Sequence, residues 1–225
     1  ACGGILSLIK SLPLIIRTFK KALGGLGHKG GDLRTEKDLS IKWSMVVVVL
    51  VALALVLIPS VPISIIAAII IVIFGFFFAT VSSRMVGLVG SSNNPVSGMA
   101  IATLLIATMI LKATGKTGIQ GMTMAICIGT VICIIAAMAG DTSQDLKTGY
   151  IVGATPYRQQ IGELIGAVCA GLAIAGVLML LDSAWTFGTD KLPAPQATLM
   201  KMVTEGVMEG NLPWNLVFIG VFLAL

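Results

Sequence analysis

The sequence predicts an all-α, polytopic transmembrane helix bundle with at least one discontinuous or re-entrant helix. Of its 225 residues, 56% are hydrophobic and 11% are charged, whereas soluble domains carry about 25% charged residues. The mean hydropathy is +1.01. The apolar segments are long and continuous rather than alternating, which favours spanning helices over a membrane β-barrel. One of them contains an Asn-Asn-Pro run, whose proline is incompatible with an unbroken helix.

Residues 10–42 are a basic loop beside the first complete apolar segment. The loop holds eight basic and three acidic residues, a net charge of +5 that equals the net charge of the whole chain. An excess of Lys and Arg next to a membrane span is typical of the cytoplasmic side. We therefore expect this loop to face the cytoplasm, with the protein in the cell membrane. Because the basic residues act as a topology signal, nucleic-acid binding is not expected.

Six apolar segments are expected to enter the lipid bilayer within a single transmembrane domain, 1–225. Trp43 stands where an interfacial aromatic residue belongs, and Pro59 and Pro62 bound a tight turn after the first segment. The last segment stops at Leu225, well short of the roughly 20 residues that a spanning helix needs. We therefore expect a fragment of a longer protein. The predicted membrane segments are 43–59, 63–83, 85–111, 119–139, 161–181 and 213–225.

A helix break is predicted within "SSNNPVSG", inside the segment 85–111. Pro95 removes an amide donor, and the residue before a proline is pushed out of helical geometry. The chain should unwind there and begin a new helix at Pro95, capped by Asn93 or Asn94. A helix N-terminus inside a membrane offers free amides that suit a carboxylate. The candidate substrate-binding residues are Asn93, Asn94, Pro95, Ser97 and Gly98.

Two alternatives remain open for this segment. The break could be a proline kink whose polar groups are satisfied by neighbouring side chains, with no ligand. The path of the chain is also open, because 85–111 could cross the bilayer once as a broken helix or turn back as a re-entrant hairpin. A crossing would place Lys112 and Lys116 outside the cell, and a hairpin would keep them inside.

A second polar group, "GDTSQDLKTGY", follows an apolar stretch that has no charged residue. Asp141 and Asp145 would share one face of a helix, and carboxylates at the mouth of a membrane domain commonly handle protons or cations. Gln144, Lys147 and Tyr150 would support them. The alternative is a solvated loop with an ordinary ion pair.

Glu163 is the third candidate for proton coupling, with Asp141 and Asp145. It lies in "QQIGELIGAVCAGLAIAG", whose small residues allow close helix packing. A carboxyl group buried on such a face can take up a proton near neutral pH. Since Glu163 is close to the start of its segment, its side chain could instead extend to the membrane surface.

No metal site, cofactor or catalytic dyad is expected. Cys127 and Cys133 do not form a CxxC motif, and buried cysteines commonly behave as small apolar residues. The single histidine, His28, lies in a glycine-rich loop. An intramembrane enzyme would need a dyad within a span, so an enzyme is not expected.

Five stretches together resemble the oligopeptide transporter (OPT) family, which includes the yellow-stripe-like transporters. The most specific is "DLKTGY" with the following "QQIGELIG". The eukaryotic peptide branch carries "NPG" and "KIPPR", whereas this chain has "NPV" at 94–96 and "KLPAP" at 191–195, which suits a bacterial member. The five stretches are "GGILSLIKSLPLIIRTFK", "RTEKDLSIKW", "NNPVSGMAIATLL", "GDTSQDLKTGYIVGATPYRQQIGELIG" and "ATLMKMVTEGVMEGNLPW".

The resemblance implies a piece of the C-terminal half of a longer transporter. Its expected activity is proton-coupled uptake of small peptides or peptide-like metal chelates by alternating access, driven by the proton gradient without a cofactor. The expected partners are the lipid bilayer, the substrate and a second copy of the chain in a homodimer. The alternative is a passive channel, because an Asn-Pro pair that opens a half-helix is also found in water and glycerol pores.

Overall fold

The computed structural model of the chain is helical through most of the residues that it describes. Those residues are Pro13, Ile16, Arg17, Lys20, 33–90 and 94–224. A short 3-10 helix covers Arg34–Glu36, and an isolated β-bridge joins Thr189 and Leu192. The α-helices are α1 (Ile41–Leu57), α2 (Ile65–Val89), α3 (Val96–Ala113), α4 (Gly118–Val152), α5 (Pro156–Trp185), α6 (Pro195–Glu209) and α7 (Trp214–Ala224).

The ends of these helices follow local chemistry. Ser64 precedes α2, and its Oγ accepts a hydrogen bond from the Ala67 amide at 3.3 Å, as an N-cap serine does. Helix α4 ends at Gly153, whose φ of 70° is left-handed. The amides of Gly153 and Ala154 return to carbonyls of the last turn of α4, which is a Schellman motif. Gly90 ends α2 with a φ of 95°.

Helices α2 and α4 run parallel, side by side, over most of their length. Ser64 at the start of α2 donates to the Met124 sulfur, and Lys147 near the end of α4 donates to the Gly87 carbonyl. Residues of α2 therefore pair with residues about 60 positions later in α4. A parallel pair needs a connection that returns the chain to its starting side.

Helix α3 is that return, because it runs antiparallel to α4. At its start Asn94 lies against Gly140, and further along Leu104 lies against Gly129. Helices α2, α3 and α4 enclose one apolar core. Its largest fully buried apolar side chains are Phe78, Met99, Leu104, Leu111, Ile128 and Ile132.

The buried hydroxyl groups of the core are hydrogen-bonded. Three threonines donate back to the carbonyl four residues earlier in their own helix, a common way to satisfy such groups inside apolar helices. Ser82 differs, because its donor reaches across to α4. The bonds are Thr103 to Met99, Thr108 to Leu104, Thr204 to Met200 and Ser82 to Ala136.

Helices α1 and α5 lie outside this core and have no buried residue. Both are strongly apolar, and within the described residues five helical segments are long and apolar enough to span a membrane. These are Arg34–Leu57, Ile65–Val89, Val96–Ala113, Gly118–Val152 and Pro156–Trp185. The predicted all-α transmembrane bundle is confirmed, and the exposed apolar faces suit contact with lipid or with other membrane segments.

The helix bounds differ from the predicted segments in a way that matters for the break. The helix predicted to end at residue 83 continues to Val89, and the segment 85–111 is divided between α2 and α3. The helix runs through the polar pair Ser82 and Ser83, whose hydroxyls both donate to carbonyls of α4. Between α2 and α3, residues 90, 94 and 95 are non-helical, and residues 91–93 lie outside the described residues.

The direction of α3 also bears on the two chain paths left open by the sequence. Its 18 residues carry the chain from the Asn94 end of the core to the opposite end. There the Lys112 Nζ donates to the Val207 carbonyl in the last turn of α6 at 2.8 Å, a favourable place for a cation. Lys112 and Lys116 thus lie at the end of the three-helix core away from Arg84, and the side of the membrane on which they lie stays a prediction.

We expect Gly140→Ala to loosen the core, because a Cβ there would lie 2.8 Å from Asn94 Nδ2 and 2.9 Å from Val86 Cγ2. Overpacking of this kind costs about 1–3 kcal/mol. The measurement is the apparent melting temperature in detergent, followed by size-exclusion chromatography. Gly171→Ala is the matched control, since nothing lies within 4 Å of a Cβ at that position. Equal melting temperatures for the two variants would contradict the close approach at Gly140.

Candidate functional site

Asn94 joins the start of α3 to both neighbouring helices. Its Nδ2 donates to Ser82 Oγ at 2.7 Å and to the Ala136 carbonyl at 3.3 Å. Its Oδ1 is buried and has no hydrogen-bond partner. A buried amide oxygen without a donor is costly, so this atom is a place where a ligand donor or a water molecule would gain a bond.

The predicted capping arrangement is wrong for Asn94. Pro95 is the N-cap residue, α3 begins at Val96, and no side chain caps it. The amide of Asn94 is instead used between helices, because Ser82 and Ala136 lie next to it. Asn93, the other candidate cap, lies outside the described residues.

The first turn of α3 is partly open. Its first bond runs from the Met99 amide to the Pro95 carbonyl at 3.0 Å, so the amides of Ser97 and Gly98 precede it. Ser97 is exposed, and nothing lies within 4 Å of a Cβ built on Gly98. The structure therefore leaves room beside the helix N-terminus at Ser97 and Gly98, where free amides favour an anionic group.

Two of the three candidate carboxyl groups, Asp145 and Glu163, meet where α4 and α5 pack together. Glu163 of α5 lies beside the Thr142 hydroxyl and the Asp145 carboxyl group of α4, and Asp141 is close enough to repel it. Glu163 Oε1 is buried without a hydrogen-bond partner. Like charges at this distance repel one another, so the contact between α4 and α5 depends on the charges of these groups.

Gln159 sets the contact between α4 and α5 one turn before Glu163. Its Nε2 donates to the Asp145 carbonyl at 3.3 Å. Its side chain lies on Gly149, where a Cβ would be 2.1 Å from Gln159 Oε1. A Cβ at position 149 would require the end of the Gln159 side chain to move, so the glycine lets Gln159 pack closely on α4 one turn before Glu163.

The predicted supporting residues are not gathered around the carboxyl groups. Lys147 Nζ donates to the Gly87 carbonyl in the last turn of α2, so the possible ion pair with Asp145 is absent. Tyr150 is 82% exposed. Gln144 is exposed, and its carbonyl accepts a bond from Thr148 Oγ1 at 3.0 Å. In the described part of the chain, the ion pair found joins Lys201 and Glu205.

The helix break and the carboxyl cluster lie on consecutive residues of α4. Gly140 contacts Asn94, and the next two residues, Asp141 and Thr142, face Glu163. Asp141 is also the first charged residue of α4. The break thus lies near the end of the apolar part of α4 rather than in its middle.

Ser82, Thr142, Gln159 and the glycines 140 and 149 were not among the residues predicted from the sequence. A polar Ser-Ser pair inside the apolar α2 was the available signal for Ser82. The two glycines carry no signal of their own, because their role depends on a neighbouring helix. Across the residues that the structure describes, no group of three or more His, Cys, Asp and Glu side chains could hold a metal ion.

Comparisons with known proteins give a consistent result. A family model described as "OPT oligopeptide transporter protein" matches residues 8–225. A curated protein of Haemophilus influenzae, "Putative oligopeptide transporter", is 31% identical over 96% of this chain and 39% of its own length. A protein of the same description from Saccharomyces cerevisiae is 27% identical over 56% of this chain and 17% of its own length. No solved structure matches.

The match covers far more than half of the chain, and it confirms the predicted family. The chain spans less than two thirds of the length of either relative. The chain belongs to the OPT oligopeptide transporter family.

Proposed function

We propose that this chain forms part of a secondary active transporter that couples proton movement to the uptake of small peptides or peptide-like metal chelates. The observation that carries the proposal is the meeting of Glu163 with Asp145 on α4, the same helix that contacts Asn94 through Gly140. Coupling needs a group that gains and loses a proton and a site that binds the substrate. The carboxyl groups would be the first, and the open helix N-terminus nearby would be the second. The family membership supports transport as the general activity.

The substrate side of the proposal rests on the start of α3. A peptide or a chelate carries a carboxylate, which the free amides near Ser97 and Gly98 would bind. Its amino or amide donors would meet the unpartnered Asn94 Oδ1. The site thus offers a donor region and an acceptor side by side, which suits a ligand with both kinds of group.

The proton side rests on α4 and α5. When Glu163 is protonated, it no longer repels Asp145, and the two helices can pack closely. When it loses the proton, the repulsion favours separation. The proton thus binds more strongly to the arrangement in which α4 and α5 pack closely than to the separated one. Coupling requires such a difference in affinity. In this scheme the protein forms no covalent bond with the substrate and uses no cofactor.

Glu163→Gln in the full-length protein should abolish concentrative uptake while leaving exchange intact. Glutamine imitates the protonated carboxyl group, so the transporter can still exchange internal for external substrate but cannot release a proton. The probes are labelled trialanine and the copper complex of Gly-Gly-His, measured in vesicles with and without an imposed pH gradient. Glu209→Gln, which neutralises an exposed carboxylate of α6, should retain uptake.

Each result of the Glu163→Gln comparison has a clear reading. Loss of gradient-driven uptake with retained exchange supports the proposal. Flux that is independent of the gradient in the parent protein would favour a passive channel. Unchanged concentrative uptake in Glu163→Gln would remove that carboxyl group from the coupling step.

Asn94→Ala should reduce uptake of either probe at least tenfold, while the protein is still inserted in the membrane. The substitution removes the bonds to Ser82 and Ala136 and the free Oδ1 acceptor. The expected loss of stability is about 1–3 kcal/mol, which thermal unfolding in detergent would register. Asn211→Ala is the control, because Asn211 is exposed and lies outside the helices. Normal uptake in Asn94→Ala would reduce the break to a simple connection between helices.

A further inference from the structure

The segment before α1 is tied to a distant turn of the chain. We call residues 34–40 the strap. Each of its hydrogen bonds to the turn joins residues more than a hundred positions apart. The bonds are Arg34 Nη1 to Thr155 Oγ1 at 2.9 Å, Arg34 Nη2 to the Gly153 carbonyl at 2.9 Å, the Tyr157 amide to the Lys37 carbonyl at 2.9 Å, the Leu39 amide to Gln160 Oε1 at 2.8 Å and Gln160 Nε2 to Asp38 Oδ1 at 3.4 Å.

The strap takes the place of a normal cap for α5. Thr155 is the N-cap residue, but its side chain makes no capping bond, and its Oγ1 accepts a bond from Arg34. The amide of Tyr157, in the first turn, donates to the Lys37 carbonyl instead. The first turn of α5 is therefore held by another part of the chain, and its amides would lack this partner without the strap.

The opposite face of the same turn lies on α4. Gln160 faces the strap, while its neighbour Gln159 packs on Gly149 and donates to the Asp145 carbonyl. Glu163 follows one turn later on the side of Gln159. Beyond this region α5 has no buried residue, so the remaining length of the helix adds little to fix its position against α4.

We propose that Arg34, through the strap, is a positioning residue that fixes the Glu163 carboxyl group beside Asp145. The guanidinium fork holds two acceptors on either side of the bend between α4 and α5, which a single lysine charge cannot do in the same way. The strap clamps the start of α5 onto α4, and the clamp places Glu163 within the carboxyl cluster. The functional part of this inference rests on the proposed proton coupling, and its geometric part does not.

The geometric part is tested with spin labels in full-length protein whose native cysteines are replaced. Ile134 of α4 and Leu172 of α5 are both exposed and take one label each. Arg34→Ala should increase the distance between the labels or broaden its distribution. Arg158→Ala, which removes an exposed positive charge from the same turn, should leave the distribution unchanged. Identical distributions for the two variants would overturn the proposal.

The functional part is tested by uptake of labelled trialanine. Arg34→Ala should lower kcat several-fold and leave KM unchanged, because the strap positions the carboxyl cluster and not the substrate. A short thiol-specific cross-linker between Asp38→Cys and Gln160→Cys should restore kcat in the Arg34→Ala background, and reduction of the link should remove the gain. A raised KM with unchanged kcat, or a link without effect, would overturn the positioning role.

A second variant covers a failure of Arg34→Ala to fold. Arg34→Lys keeps the charge and can satisfy only one of the two acceptors at a time, so it should give an intermediate kcat and an intermediate label distribution. Behaviour of Arg34→Lys equal to that of the parent protein in both measurements would contradict the need for the fork. If the parent protein shows no gradient-driven uptake, the proposed function fails while the label distances still decide the geometry of the strap.

Discussion

The close approach of three helices at Gly140 is the contact on which the rest of the structure depends. Because Gly140 has no side chain, Asn94 can reach both Ser82 of α2 and the Ala136 carbonyl of α4. The parallel pairing of α2 and α4 requires the chain to reverse between them, and α3 makes that reversal from this point. Without the approach, the break before α3 would leave the polar groups of Asn94 in an apolar core without partners, which is costly.

The same constraint explains how the chain treats its other exposed backbone groups. A membrane domain must pair its helix-end carbonyls and amides internally where water is scarce. Lys147 meets a carbonyl in the last turn of α2, Lys112 meets one in the last turn of α6, and the Lys37 carbonyl meets an amide in the first turn of α5. The sequence indicated Lys112 as a topology charge and Lys147 as a supporting site residue. In the structure, both side chains bind carbonyls at helix ends.

The sequence could predict the fold class, the family and a break near Pro95. Each of these depends on a local property: hydropathy, short sequence motifs and the geometry of proline. The extension of α2 to Val89 could not be predicted, because the partners of the polar Ser82–Ser83 run are carbonyls of α4, which are distant in the sequence. The use of Asn94 as an interhelical donor rather than a cap depends on Gly140 for the same reason. The grouping of Asp141 and Asp145 with Glu163 was proposed from residue type, and their proximity becomes visible only when α5 is packed on α4.

The stretch from Gly140 to Gly149, which includes most of "DLKTGY", contacts two helices at once. Ser143 and Lys147, four residues apart, both bond to carbonyls of α2. Asp141, Asp145 and Gly149, also spaced by four, face Glu163 and Gln159 of α5. One face of α4 thus contacts α2, and the neighbouring face contacts α5. A substitution on one face would remove contacts to one helix, and the residues on the other face could not replace them. A movement of α5 driven by Glu163 would act on the same turns of α4 that hold α2 and Asn94, which is a short physical path between the proposed proton site and the proposed substrate site.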